Sequence, residues 1–311
     1  MTWWGPQVRT LYRAPLESMS EVREDLSDAC ISPGAAHDGG QFKRMANGKP
    51  SIAIIGAGLS GLAAASRLHQ AGHSFVLYEA SDEAGGRLRT DVVEGFRLDR
   101  GFQVFLPGYP RARKLLDYDE LDLRPFYRGS VVHWAGQVHR IADPLHHPKD
   151  AFRSMRDRIV PWRDKVFTLL LRKHVFGLRQ VPRYGAPQST DGYLRDWGFS
   201  EVFRERFLRP FFGGVFLDRE LTTDARLFEF VFSMFDRGGT ALPARGMQEI
   251  PRHMARQLPA SFLHFNRRVT SLREGELTLD SGEIVHADHI LLATDEDSAS
   301  ALLPELSSTR T

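Results

Sequence analysis

"IAIIGAGLSGLAAASRLHQAGHSFVLYEA", residues 52–80, decides the fold. Ser51–Ile55 is apolar and β-branched, as a short parallel strand covered on both faces should be. Gly56-Ala57-Gly58-Leu59-Ser60-Gly61 then matches G-x-G-x-x-G. A helix from Ser60 to about Ala71 sets Leu62, Ala65 and Leu68 on one side, and Gly72 ends it. Phe75–Tyr78 reads as a second strand, with Glu79 at its end, eighteen residues past Gly61. That order and spacing mark a dinucleotide-binding βαβ unit. Gly56 makes the tight turn, Gly58 lets a pyrophosphate approach the backbone, and Gly61 lets the helix pack on the strand. Unpaired N–H groups and the positive dipole end of the helix face the pyrophosphate. Glu79 can accept both hydroxyls of an adenosine ribose, and its carboxylate repels a 2′-phosphate, which disfavours NADP.

After Glu79 the chain continues "ASDEAGGRLRT", giving E-x5-G-G-R-x-x-T through Gly85, Gly86 and Arg87 to Thr90. This resembles the signature of the flavin-containing amine oxidase, protoporphyrinogen oxidase and phytoene desaturase superfamily. The resemblance implies that the dinucleotide is FAD. The residues agree: a second glycine pair permits another close backbone approach, and Arg87 can bond a phosphate or the flavin edge. "GFRLDRGFQVF" (95–105) resembles the superfamily's strand and turn beside the isoalloxazine ring, here Asp99-Arg100-Gly101 with Phe102 and Gln103 next. "GGTALPARGMQEIPRHMARQLP" (238–259) resembles its P-x-G-G-M segment at Pro243, Gly246 and Met247, with Arg245 where a glycine is common. By the same resemblance the Val269 backbone contacts adenine, and Asp288–Thr294 is a buried strand returning to the nucleotide-binding sheet. The implied cofactor-binding set is Gly56, Ala57, Gly58, Leu59, Ser60, Gly61, Glu79, Ala80, Gly86, Arg87, Gly101, Phe102, Gln103 and Val269.

Between Tyr109 and Arg237 the pattern is mostly helical. "HWAGQVHRIADPLHHP" (133–148) reads as a hairpin around Ala135-Gly136, and its histidines lack a zinc-site spacing. Residues 199–235 carry ten phenylalanines, of which Phe199, Phe203, Phe207 and Phe211 recur every four residues. Such a stripe is first a core and second a wall for an apolar or aromatic substrate. "RIVPWRDKVFTLLLRKHVFGL" (158–178) is an apolar run flanked by Arg158, Arg163, Lys165, Arg172 and Lys173. It suits a helix packed on its own domain, with peripheral contact to an anionic membrane as the alternative.

The bulk numbers narrow the class. A formal charge of +2 gives no case for a nucleic-acid partner. Cys30 is the one cysteine, so disulfides and cysteine metal clusters are excluded within the chain, FAD is expected to be non-covalent, and a cytoplasmic setting suits it. No apolar run is long enough for a spanning helix. Residues 1–48, rich in Ser, Pro, Gly and charge, are expected to form a disordered extension.

The expected architecture is α/β: a Rossmann-like FAD-binding domain with a central parallel sheet, built from 49–108 and 238–300. An incomplete, mostly helical α+β substrate lobe fills 109–237. The resemblance runs from about Lys49 to Asp295, and implies a longer chain with a closing G-D motif that does not appear before Thr311. A fragment, a truncated product or a short member would each account for this. The expected activity is hydride transfer from an amine, polyene or porphyrinogen-like substrate to FAD. The alternative is a truncated, non-catalytic FAD- or ADP-binding protein. Many amine oxidases set a lysine near the flavin, whereas here no lysine follows Lys173, which favours an apolar substrate. No catalytic acid or base, electron acceptor or oligomeric state is legible.

Overall fold

The computed structural model describes residues 51–101, 103–143, 145–153, 159–182, 186–273 and 275–303. The expected N-terminal extension and Phe102 lie outside the described residues. Along the chain come β1 (Ile52–Ile55), α1 (Leu59–Gln70), β2 (Phe75–Tyr78), β3 (Arg89–Val93) and β4 (Phe96–Arg100). Next are α2 (Ala112–Leu115), β5 (Leu123–Pro125), β6 (Gly129–Trp134), β7 (Gln137–Ala142), α3 (Pro148–Arg153) and α4 (Trp162–Val175). Then follow α5 (Thr190–Asp196), α6 (Glu201–Phe203), a π-turn (Arg204–Leu208), α7 (Arg209–Phe216), α8 (Ala225–Gly238) and β8 (Ala241–Pro243). The last stretch holds α9 (Glu249–Arg256), β9 (Leu263–His264), β10 (Val269–Arg273), β11 (Glu276–Leu279), β12 (Ile284–His286), β13 (His289–Leu292) and α10 (Glu296–Leu302).

The chain divides into two units, one spanning 104–244 and the other built from the segments before and after it. The discontinuous unit carries a parallel sheet in the order β13-β1-β2-β9, with Ile54 opposite Leu291 on one side and Leu77 on the other. Side chains alternate across a strand. Ala53, Ile55, Val76 and Tyr78 therefore share one face, buried against Val269, Leu277, Leu279 and Val285 of the antiparallel β10-β11-β12 sheet. Ile54, Phe75 and Leu77 point the other way and are fully buried, on the side where α1 contributes Leu62 and Ala65. Covering on both faces explains why β1 and β2 read as unbroken apolar runs. The order returns β13, from the end of the chain, beside β1, so that Ala293 and Thr294 sit next to the glycine turn.

The unit spanning 104–244 is mainly helical, with the β6–β7 hairpin turning at Ala135-Gly136 and a β5–β8 pair. Its core is aromatic: Phe199, Phe203, Phe212, Phe216, Phe228 and Phe230 are buried, with Phe207, Phe211, Phe232 and Phe235 packed against them. The four-residue stripe is core, as its spacing suggested, but it is not one regular helix. The π-turn interrupts it, and the Phe203, Phe207 and Phe211 rings stack through the turn at 5.4 and 5.7 Å. Asp164 of α4 is fully buried and accepts from the Ser200 N–H (2.8 Å) and hydroxyl (2.5 Å), fastening α4 to the start of α6.

Candidate cofactor site

Gly56 takes φ +104°, and a Cβ there would stand 2.9 Å from the Ala293 carbonyl oxygen. A Cβ on Gly61 would fall 1.9 Å from the Gly56 oxygen and 3.4 Å from the Ala293 methyl, so helix, turn and β13 close on one another only through glycine. Gly58 differs. Its φ of −73° suits any residue, and an added Cβ would meet only the Gly86 Cα, at 3.9 Å. Glycine at 58 is therefore not demanded by the protein's own packing.

The second glycine loop lies against the first. The Gly85 N–H donates to the Ala57 carbonyl at 3.0 Å, and Gly86, at φ +57°, approaches so closely that its Cβ would stand 3.1 Å from the Gly58 Cα. α1 begins at this junction with Gly58 as its N-cap, no side-chain cap and no acid in its first turn. Its leading N–H groups are left for an external acceptor. Leu59 and Ser60 form that first turn, with Ser60 exposed.

Glu79 ends β2 at the mouth of the turn. One carboxylate oxygen accepts from the Ala57 N–H (2.6 Å), and the other from the Ser81 N–H (2.9 Å) and hydroxyl (2.8 Å). Three of about four acceptor sites are filled, and the remaining one is open to a hydroxyl. Ala80, between Glu79 and Ser81, is half-buried. The chain from His264 runs alongside this corner: the backbone N–H of Glu79 donates to the His264 carbonyl, that of Asn266 to the Ser81 carbonyl, and that of Arg267 to the Glu79 carbonyl, each at 2.9 Å. Val269 follows directly, its side chain buried in the inter-sheet core. Arg87 is exposed and close enough to Asp295 to help lower its pKa, after the larger effect of the Ser298 N–H bonded to that carboxylate. Gly101 has φ +89° with open space around it, and Gln103 is exposed. Neither shares a hydrogen bond with the glycine cradle among the described residues.

The structure adds residues that sequence reasoning missed. The Glu83 carboxylate takes a two-pronged bond from Arg252 of α9 at 2.8 and 2.9 Å, across 169 positions of sequence, and this holds its pKa below the ordinary value. Thr90 closes a cycle. Its N–H donates to the Gln248 side chain (2.9 Å), its hydroxyl donates to Asp99 (2.5 Å), and the Met247 N–H donates to the same Asp99 oxygen (2.9 Å). Gly246 is pressed onto Thr90, where a Cβ would stand 2.5 Å from its methyl. Arg245, in place of the common glycine, pairs with buried Glu249 at 2.9 Å while Gly246 supplies the positive φ of +96°. The motif's terminal threonine thus anchors the second glycine loop to β4 and the start of α9. The quoted Thr90 and Met247 were the available signals, whereas nothing in the sequence links Glu83 to Arg252.

These residues fit the ADP half of FAD. The cradle has two opposed glycines, an uncapped helix N-terminus and an acid beside it. Thr294 Oγ1, buried next to Gly56, has no hydrogen-bond partner among the described residues and remains as an unused polar group. No cluster of His, Cys, Asp and Glu suited to a metal ion occurs among the described residues.

A parallel β13-β1-β2-β9 sheet with this double glycine loop defines a dinucleotide-binding flavoprotein fold. Residues 59–310 match the family described as flavin containing amine oxidoreductase, and the chain belongs to that family, whose cofactor is FAD. It is 27% identical over 165 residues to protoporphyrinogen oxidase 2 of Arabidopsis thaliana, which covers 52% of this chain and 32% of the relative. With the probable zeta-carotene desaturase of Synechococcus elongatus it shares 26% identity over 294 residues, covering 82% of this chain and 60% of the relative. Putrescine oxidase bound to putrescine superposes with a TM-score of 0.55 at 25% identity, covering 81% of this chain and 60% of the other. The chain thus spans about a third to three fifths of the length of these proteins.

Proposed function

We propose that this chain is part or all of an FAD-dependent oxidoreductase that takes a hydride from an apolar or aromatic organic molecule, of polyene or porphyrinogen type rather than an amine. The observation that carries the FAD assignment is the opposition of Gly58 and Gly86, whose backbones meet while the Cβ position of Gly58 stays clear of protein atoms closer than 3.9 Å. When bound, FAD supplies the redox chemistry; the protein supplies binding, orientation and exclusion of water. The α1 N-terminus would hold the pyrophosphate and Glu79 would accept from a ribose hydroxyl, while Arg252, Glu83 and Thr90 hold the second glycine loop in place.

Two facts support an apolar substrate. The 104–244 unit is built on phenylalanine, and the relatives matched over most of this chain include a carotene desaturase. The test is spectroscopic. The purified chain, reconstituted with FAD, should show flavin absorption bands that bleach anaerobically with a polyene or porphyrinogen and return in air. A colourless protein that takes up no FAD would overturn the assignment. Bound flavin that amines reduce but polyenes and porphyrinogens do not would overturn the substrate class. Bound flavin that none of them reduces would favour a non-catalytic FAD-binding role.

A further inference from the structure

Helix α4 is amphipathic twice over. At about 100° per residue, Asp164, Leu171 and Val175 fall on one side, and all three are buried against their own unit. The opposite side is also apolar and faces water. It carries Trp162 (77% exposed), Val166, Leu169 and Leu170, and Phe176 (79% exposed) extends it just past the helix end. Among the described residues, packing within the 104–244 unit therefore accounts for only one face of α4.

The exposed charges that the α4 segment itself places around this face have one sign. Lys173 sits within it, while Arg163 and Lys165 lie along its two edges and Arg179 follows beyond Phe176. Between 159 and 182 the sole acid is Asp164, fully buried and bonded to Ser200. Arg172 and His174 belong to the inner side, paired with Asp143 and Asp236 and with Glu229. Arg163 gives one N–H to the Gly198 carbonyl and lies over the Phe167 ring.

We infer that this face of α4 docks on the surface of an anionic lipid bilayer. An indole at one end, a phenyl at the other and aliphatic side chains between them match the interfacial depth of a bilayer, and a cationic rim matches anionic headgroups. A second copy of the chain is the poorer occupant, because face-to-face pairing would bring Lys173 and its basic neighbours against their own equivalents. The 14-residue helix spans about 21 Å at 1.5 Å per residue. No described helix is long and apolar enough to cross a membrane, so α4 lies along the surface. The inference rests on α4 alone and is independent of the FAD assignment.

The test is flotation of the full chain with phosphatidylcholine vesicles containing about one third phosphatidylglycerol, compared with pure phosphatidylcholine. The expected result is flotation with the anionic vesicles, weakened at least about fivefold by neutral vesicles or by raising salt from about 0.1 to 1 M, where screening shortens to about 3 Å. The double variant Trp162→Ser/Phe176→Ser and, separately, Lys173→Glu should each lose at least about fivefold of the bound fraction. These side chains are exposed, so the thermal melts should match the parent. Absence of flotation by the parent chain, or flotation unchanged in the variants, would overturn the inference. So would concentration-dependent dimerisation that the double variant abolishes in the absence of lipid binding.

Discussion

Gly58 and Gly86 belong to different loops, yet a Cβ on Gly86 would stand 3.1 Å from the Gly58 Cα, whereas a Cβ on Gly58 would touch protein only at 3.9 Å. The asymmetry separates binding from folding. Gly58→Ala should leave the melting temperature within the range of a neutral surface change and raise the Kd for FAD by about tenfold or more, or about 1.4 kcal/mol. Gly61→Ala drives a methyl into the Gly56 oxygen and should destabilise the protein by about 3 kcal/mol or more. Paired thermal melts and FAD titrations check both, and equal FAD affinity in Gly58→Ala and the parent would remove the pyrophosphate from this cradle.

Glu79, proposed to hold the ribose, already accepts from the Ala57 N–H. Glu79→Gln keeps the shape and removes the charge. A bond to a charged group is worth about 1.5–3 kcal/mol, so FAD and ADP should both weaken by roughly 10- to 100-fold. Isothermal titration with each ligand measures this. A loss with FAD but none with ADP would move Glu79 away from the ribose.

The Arg252–Glu83 pair ties the second glycine loop to α9. Both side chains are about a third exposed, at 38% and 32%, so Arg252→Ala should cost stability of at most about 1 kcal/mol. FAD affinity should drop several-fold because the second glycine loop loses its tie to α9, and Arg252→Lys, unable to fork, should recover it only in part. The Arg252 bond lowers the Glu83 pKa from its ordinary 4.5. A lowered folded-state pKa means the contribution is complete above that ordinary value and disappears as pH falls through the folded value. Acidification through that range should therefore cost the parent more stability than Arg252→Ala, as denaturation at a series of pH values would read.

Phe228 is fully buried, with its ring 4.8 Å from that of Phe212 and 5.7 Å from that of Phe232. Phe228→Ala should destabilise the chain by about 3–5 kcal/mol in urea denaturation. A loss below about 1 kcal/mol would mean that the aromatic cluster is not the core of its unit.

The local features were legible because their causes are local. A turn that needs positive φ calls for glycine at Gly56, covered strands must be apolar throughout, and the hairpin at Ala135-Gly136 lies between alternating runs. Sequence spacing also carried the phenylalanine stripe, but not the π-turn that carries its rings through Arg204–Leu208. The partners of a long side chain were beyond reach. Nothing near Glu83 in sequence points to Arg252, and nothing near Thr90 explains why that hydroxyl meets Asp99 and the start of α9.

By itself, then, the amino-acid sequence determined the βαβ unit, its glycine turns and the family of the cofactor, since backbone sterics and periodicity act over a few residues. Tertiary structure alone decided that Gly58 is open while Gly61 is closed, that Glu79 already holds Ala57, and that α4 buries one apolar face and exposes the other. Each of these depends on which distant segment the fold brings alongside, and burial is a property of that neighbour as much as of the residue.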